Sequence, residues 1–253
     1  MRALALILCW TAVATAQDFG ALAKATLALR TALATDRPGD ATKALRAIQD
    51  QYAFGDTQAQ RVAVAAVGRA ARSWEVRIRH GAFRALAALR ARGSSRYLAR
   101  WLDPPAILRG PVPPSCLEAI RAAGAIADTA TLSTLKKLAR HKDVAIAETA
   151  ILALGGYRRL PTPHRKRLAF GLVDQLRQMS LEPPMPRKGK PSTKKGGTGK
   201  KHEKAKKGRS AKERVQLATA MIKALQALTG QKHRALEAWI KWKEQAERLR
   251  DPF

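Results

Sequence analysis

Apolar and polar residues alternate along this chain with the period of a helix. Strand-like alternation is almost absent. The apolar stripes predict a first helix over Asp18–Ala34 and a turn at Asp36-Arg37-Pro38-Gly39-Asp40. A second helix is expected from Ala41 to about Ala53, stopped at Gly55. Asp56 reads as the N-cap of a third helix, Thr57–Arg72. Ser73 reads as the cap of a fourth, Trp74–Arg92, which Gly93 ends. A short helix follows from Ser94 or Ser95 to Leu102, closed by Asp103-Pro104-Pro105. After a second break at Pro111–Pro114, helix resumes at Ser115 and runs to about Ala127. Asp128 or Thr129 then caps a helix to Arg140, and Asp143 caps one ending at Gly155-Gly156. Thr162 stands before a proline at the first helical position of another, which runs to about Met179. Ser210 and Glu213 form an S-x-x-E capping box where helix starts again.

One eight-residue pattern of small and large apolar residues recurs. It reads AFRALAAL at 82–89, AIRAAGAI at 119–126, AILALGGY at 150–157 and MIKALQAL at 221–228. The first three copies are offset by 37 and then 31 residues, the period range of helical-hairpin repeats. Each copy places one stripe on one helix face. A single helix pair cannot bury such a stripe alone and must stack on its neighbours.

These residues carry a family resemblance. Glu75-Val76-Arg77, followed by Ala82, Ala85, Leu86 and Leu89, resembles the second helix of a HEAT repeat. Asp143-Val144, followed by Ala150, Ala153 and Leu154, is similar but lacks the Arg after Val. The resemblance covers residues 56–180 and, more loosely, 18–55. The stretch from Leu228-Thr229-Gly230-Gln231 to Trp239 and Trp242 resembles the closing segment of secreted bacterial HEAT-repeat proteins. The family implies an all-α fold, an α–α superhelical solenoid of about five helical hairpins that binds other macromolecules. It implies no particular partner. Some relatives act on DNA or are pigment lyases, and no residue here carries such an activity over.

Composition supports close-packed helices. The 253 residues are 46% hydrophobic but only 5% aromatic, and alanine, the best helix former, is abundant. The expected organisation is a signal peptide at 1–16, HEAT-like repeats at 17–181, a disordered basic loop at 182–209, and a last hairpin with a C-terminal cap at 210–253. The leader rests on Arg2, the apolar run Ala3–Ala14 and the small residues Ala14-Thr15-Ala16 before Gln17. Its alternative is a buried first helix. Cleavage near Ala16/Gln17 makes the protein exported, to the periplasm, envelope or medium. It also removes Cys9 and leaves Cys116 without a disulfide partner, as a small buried hydrophobe. No other apolar run reaches the length needed to span a bilayer. The loop begins with Pro183, Pro184, Pro186 and Pro191. From Arg187 to Arg209 it carries eleven Lys or Arg against the single acid Glu203, a composition that cannot bury a core.

The formal net charge is +29, which attracts polyanions and opposes self-association. Nucleic acid, anionic lipid, acidic glycans and acidic proteins are all candidate partners on charge alone. Arginine crowds residues 69–100. Within it, Arg77, His80 and Arg84 fall on one helix face, either as part of a cationic ridge or as a solvated face with a structural arginine at 77. These three, with Lys194, Lys195, Lys200, Lys201, Lys204, Lys206 and Lys207, are the expected binding residues.

Candidate chemistry is otherwise thin. His80, His141, His164, His202 and His233 are scattered, with no i, i+4 pair and no metal-ligand spacing, so no metal is expected. Gly196-Gly197-Thr198-Gly199-Lys200 lacks the glycine at 194 and the hydroxyl at 201 that a phosphate loop requires. Asp40, Asp56, Asp128 and Asp143 read as helix caps, and no nucleophile stands beside a base. Trp239 and Trp242 read as the seal of the last repeat. The expectation is a non-enzymatic exported binding or scaffold protein, without cofactor, whose partner is a protein or anionic polymer. The alternative is a nucleic-acid-binding protein retained in the cytoplasm.

Overall fold

The computed structural model describes residues 20–91, 93–102, 114–181 and 209–249. The expected signal peptide, residues 103–113 with the expected stop at Asp103-Pro104-Pro105 and most of the expected break at Pro111–Pro114, and nearly all of the basic loop lie outside the described residues. Every regular element among the described residues is helical. They are α1 (20–34), α2 (Pro38–Gln51), α3 (Thr57–Ala70), α4 (Val76–Leu89), the single turn α5 (Ala99–Leu102) and α6 (Pro114–Ile126). Then come α7 (Thr129–Leu138), α8 (Val144–Leu154), α9 (Thr162–Leu181), α10 (Ala211–Thr229) and α11 (Leu236–Arg248). Short 3₁₀ turns occupy Tyr52–Phe54, Ser94–Tyr97 and Gly155–Arg159. No described helix is long and apolar enough to cross a membrane.

The caps explain most boundaries. Asp56 accepts from the Ala59 N–H at 2.6 Å, Asp128 from Ala130 at 3.1 Å and Asp143 from Ala145 at 2.8 Å. Each satisfies a first-turn donor that the helix itself cannot pair. Ser210 and Glu213 form the reciprocal capping box. Other boundaries differ from expectation. α2 begins at Pro38, inside the expected turn, because a proline at the first position gives up only an N–H that would be unpaired anyway. Asp40 therefore sits in the first turn of α2 and caps nothing. α4 begins at Val76 and not at Trp74. Glu75 caps it by accepting from the Arg77 N–H, while Ser73 accepts from the Glu75 N–H one turn earlier. The helix also stops at Leu89, three residues short of Arg92, where Arg90 turns left-handed at φ 48°. Ala127 does the same at φ 54° one repeat later. The expected single helix up to Leu102 is a 3₁₀ turn followed by one α-turn.

The chain divides into two compact units, residues 1–159 and 160–253. In the first, alternate helices touch in order: α2 packs on α4, α4 on α6, and α6 on α8. α3 and α7 pack as partners of α4 and α8. The first three copies of the repeated pattern are the contacting stretches of α4, α6 and α8. Their apolar faces carry Ala82, Ala85, Ala119, Ala123 and Ala150 between fully buried Phe83, Leu86, Ile120 and Ile151. Burying each of these large side chains contributes about 1.5–3 kcal/mol. Small residues at the seams let helix axes approach. A Cβ on Gly124 would stand 2.6 Å from the Ala153 Cα, and one on Gly156 would overlap the Gly124 carbonyl. Tyr157 then closes α8 from inside. Its buried hydroxyl donates to the Asp128 carbonyl at 3.0 Å and lies 2.7 Å from the Thr131 hydroxyl.

In the second unit α9 packs on α10 and α11. Trp239 and Trp242 are buried there, edge to face at 5.5 Å. His233 lies against Trp239 and Phe170 against Trp242. The two tryptophans are thus core side chains of this unit.

Gly124→Ala and Gly156→Ala are expected to lower stability by about 1–3 kcal/mol each through overpacking. Gly171→Ala, on the exposed side of α9 with open space at its Cα, is expected to raise it by up to about 1 kcal/mol. Thermal or urea unfolding of the three variants reads both signs.

Candidate functional site

The exposed face of α4 meets the start of α2 in a groove of about 510 Å³. Arg77, His80 and Arg84 all line it, as the spacing i, i+3, i+7 on one helix requires. Across from them are Pro38, Gly39 and Thr42 of the first turn of α2. Arg77 and Arg84 are exposed and His80 is half-buried. Among the described residues neither arginine is ion-paired. Two fixed-charge guanidinium groups thus face one concave wall with their donors uncommitted, an arrangement that receives carboxylate, sulfate or phosphate groups. The remaining expected contacts, Lys194, Lys195, Lys200, Lys201, Lys204, Lys206 and Lys207, lie outside the described residues.

Behind the groove is a layer of fixed groups. Arg79 points away from it. Its Nε donates to the Ser115 Oγ at 2.7 Å, and its Nη1 donates to the carbonyls of Ser73 at 2.8 Å and Trp74 at 3.2 Å. The guanidinium also stacks over Trp101 at 4.6 Å. Arg79 is therefore a structural arginine of this helix, while the Arg77 side chain has no ion-pair partner among the described residues. Burial and neighbouring Arg100 both lower the Arg79 pKa, against an opposing pull from Glu75.

Ser115 opens the facing helix α6 and is fully buried. Its Oγ lies 3.2 Å from His80 Nε2. Since Arg79 can only donate, the Ser115 hydroxyl accepts from Arg79, and its own proton is left to turn toward His80 Nε2 when that nitrogen is unprotonated. His80 is held below the ordinary imidazole value by burial first; the charge of Glu118 opposes that shift, and Arg79 and Arg84 add to it. The pair is a serine–histidine contact, yet the serine has no surface from which to attack a substrate. Sequence reading gave Ser115 and Glu118 no role at this site because they lie 35 and 38 residues from His80, the side chain they act on. The repeat offset of 37 held the signal, since it sets residue 115 opposite residue 78.

The other described arginines of this region do not line the groove. Arg96 folds onto its neighbour Tyr97, and Arg100 lies 5.7 Å from the Trp101 ring. A larger, mainly apolar cavity of about 640 Å³ lies between α1 and α2, floored by Ala25, Ala28, Ala32 and Ala44 with Leu27 at its edge. Cys116 is buried beside Ser115, and burial pushes its thiol up to about 11, so it remains protonated and inert. His141 is buried as well and accepts from the Asp143 N–H through Nδ1 at 3.0 Å. Among the described residues no three His, Cys, Asp or Glu side chains stand close enough to hold a metal ion. No family model, no curated protein and no solved structure matches this chain.

Because the folded state lowers the His80 pKa, the unfolded chain binds the proton first as pH falls below 6.5. Stability from this site is complete above that value and is lost as pH falls toward the lower folded value. The melting temperature is expected to drop as pH falls below about 6.5. His80→Gln, which keeps a polar partner for Ser115 but does not titrate, is expected to flatten that part of the profile. Ser115→Ala leaves the Arg79 Nε without its acceptor and is expected to cost about 1–3 kcal/mol at all pH values.

Proposed function

We propose that this protein is a non-enzymatic binding or scaffold protein, exported after cleavage near Ala16/Gln17, whose helices form a HEAT-type α-solenoid. The groove between α2 and α4 grips an anionic partner, a protein or an anionic polymer, and the basic loop at 182–209 adds long-range attraction. The observation that carries this reading is the convergence of Arg77, His80 and Arg84 on one groove, with neither arginine ion-paired among the described residues. The ordered contacts α2–α4–α6–α8 support the solenoid, because stacked hairpins touch in that alternating order. The full burial of Ser115 favours binding over hydrolysis at this face.

Two measurements test the reading. The first is the N-terminal residue and cell fraction of the native protein. A chain starting near Gln17 in the envelope or medium supports export. An intact Met1 in the cytoplasm overturns it and puts nucleic acid first among partners. The second is affinity for polyglutamate, heparin and duplex DNA at graded salt. Affinity for the first two is expected to fall as salt rises, and Arg77→Glu with Arg84→Glu is expected to weaken low-salt binding about tenfold or more. Binding indifferent to both salt and the double substitution sinks the groove as the contact site.

A further inference from the structure

We infer that Trp74 is the apolar anchor of the same interface, and that the partner is a protein segment carrying acidic side chains beside an apolar one. This rests on the α2–α4 groove as the contact site. Trp74 is 75% exposed, the most exposed large apolar side chain among the described residues. It makes no ring contact there, in contrast to Trp101, Trp239 and Trp242, which all pack against other aromatic rings. Val76 is 44% exposed and itself lines the groove. Trp74 precedes the groove-lining Val76 by two residues, so its Cα lies within about 7 Å of that of Val76, in reach of a partner seated in the groove.

The backbone under this side chain is held from several sides. Arg79 clamps the Ser73 and Trp74 carbonyls, Ser73 accepts the Glu75 N–H, and Glu75 accepts the Arg77 N–H. Arg79 is in turn fixed by Ser115 and by stacking on Trp101. The fold thus rigidifies a turn whose largest side chain stays mostly in solvent. A pre-ordered turn removes part of the entropy cost of binding, and Trp and Arg dominate interface energetics.

The combination selects among anionic partners. A phosphate or sulfate backbone satisfies Arg77 and Arg84 but leaves the indole and the Val76 methyls uncovered. Single-stranded nucleic acid stacks its bases on a series of aromatics in a basic groove, and here one tryptophan stands alone. An acidic peptide segment with an apolar side chain covers both features, its carboxylates on the arginines and its apolar group on Trp74 and Val76.

The test uses the full chain and three probes of equal charge: polyglutamate, a peptide in which leucines interrupt the same number of glutamates, and a single-stranded DNA oligonucleotide. Trp74→Ala is expected to weaken the leucine-containing peptide about tenfold and to leave polyglutamate unchanged. Trp74→Phe is expected to restore most of that loss. Arg77→Glu with Arg84→Glu is expected to weaken both peptides. If Trp74→Ala changes neither peptide while the arginine variant weakens both, the anchor is overturned and the groove stands. If the arginine variant leaves polyglutamate binding intact, the groove reading itself fails. Absence of binding to either peptide overturns the acidic segment as partner. An oligonucleotide that binds more tightly than the leucine peptide and depends on Trp74 replaces the peptide segment with stacked bases. Unchanged thermal melts of the Trp74 variants exclude misfolding, since the side chain is solvent-facing.

Discussion

The close approach of α6 to α8 requires a hydrogen atom, and nothing larger, at Gly124 and Gly156. At the first the Ala153 backbone and side chain lie in the space a Cβ would take, and at the second the Gly124 carbonyl does. Alanines at the neighbouring seam positions continue the same constraint from α8 through α6 to α4. The aromatic content is too low for this unit to be filled with large rings, so axis-to-axis proximity replaces side-chain bulk as the way to exclude water. The exposed face of α4 inherits its shape from that packing. Once α2, α4 and α6 are drawn together, the face left over on α4 carries Arg77, His80 and Arg84.

The same packing sorts the arginines into two kinds. Arg79 points toward α6, where Ser115, two backbone carbonyls and the Trp101 ring occupy its donors and its face. Arg77 and Arg84, on the next strip of the helix, find no carboxylate among the described residues. A chain with 48 basic and 19 acidic residues cannot pair most of its cations internally. Position on the helix therefore decides whether an arginine stabilises the fold or stays available to a partner. His80 lies between the two groups and reports on both, because its proton is disfavoured by burial and by the arginines on either side.

Much of the helical order was legible in advance. Local signals act over three or four residues, and the caps Asp56, Asp128, Asp143 and Ser210 sit where the side-chain chemistry required them. Boundaries went astray where two local signals competed. Pro38 starts a helix as readily as it makes a turn, and Glu75 outcompetes Ser73 as the cap of α4 because it reaches the Arg77 N–H. The left-handed ends at Arg90 and Ala127 carry no glycine, so no residue type announced them.

The sequence by itself determined the helical class, the repeated seam, the excess of positive charge and the shared face of Arg77, His80 and Arg84. All of these follow from the 3.6-residue period and from local hydrogen bonding. Tertiary structure alone decided that this face borders a groove, that Arg79 is a structural arginine, and that Ser115 contacts His80 from 35 residues away in the chain. Those facts depend on how closely neighbouring helices approach. That distance is set by the joint volume of side chains far apart in the chain, which no local pattern encodes.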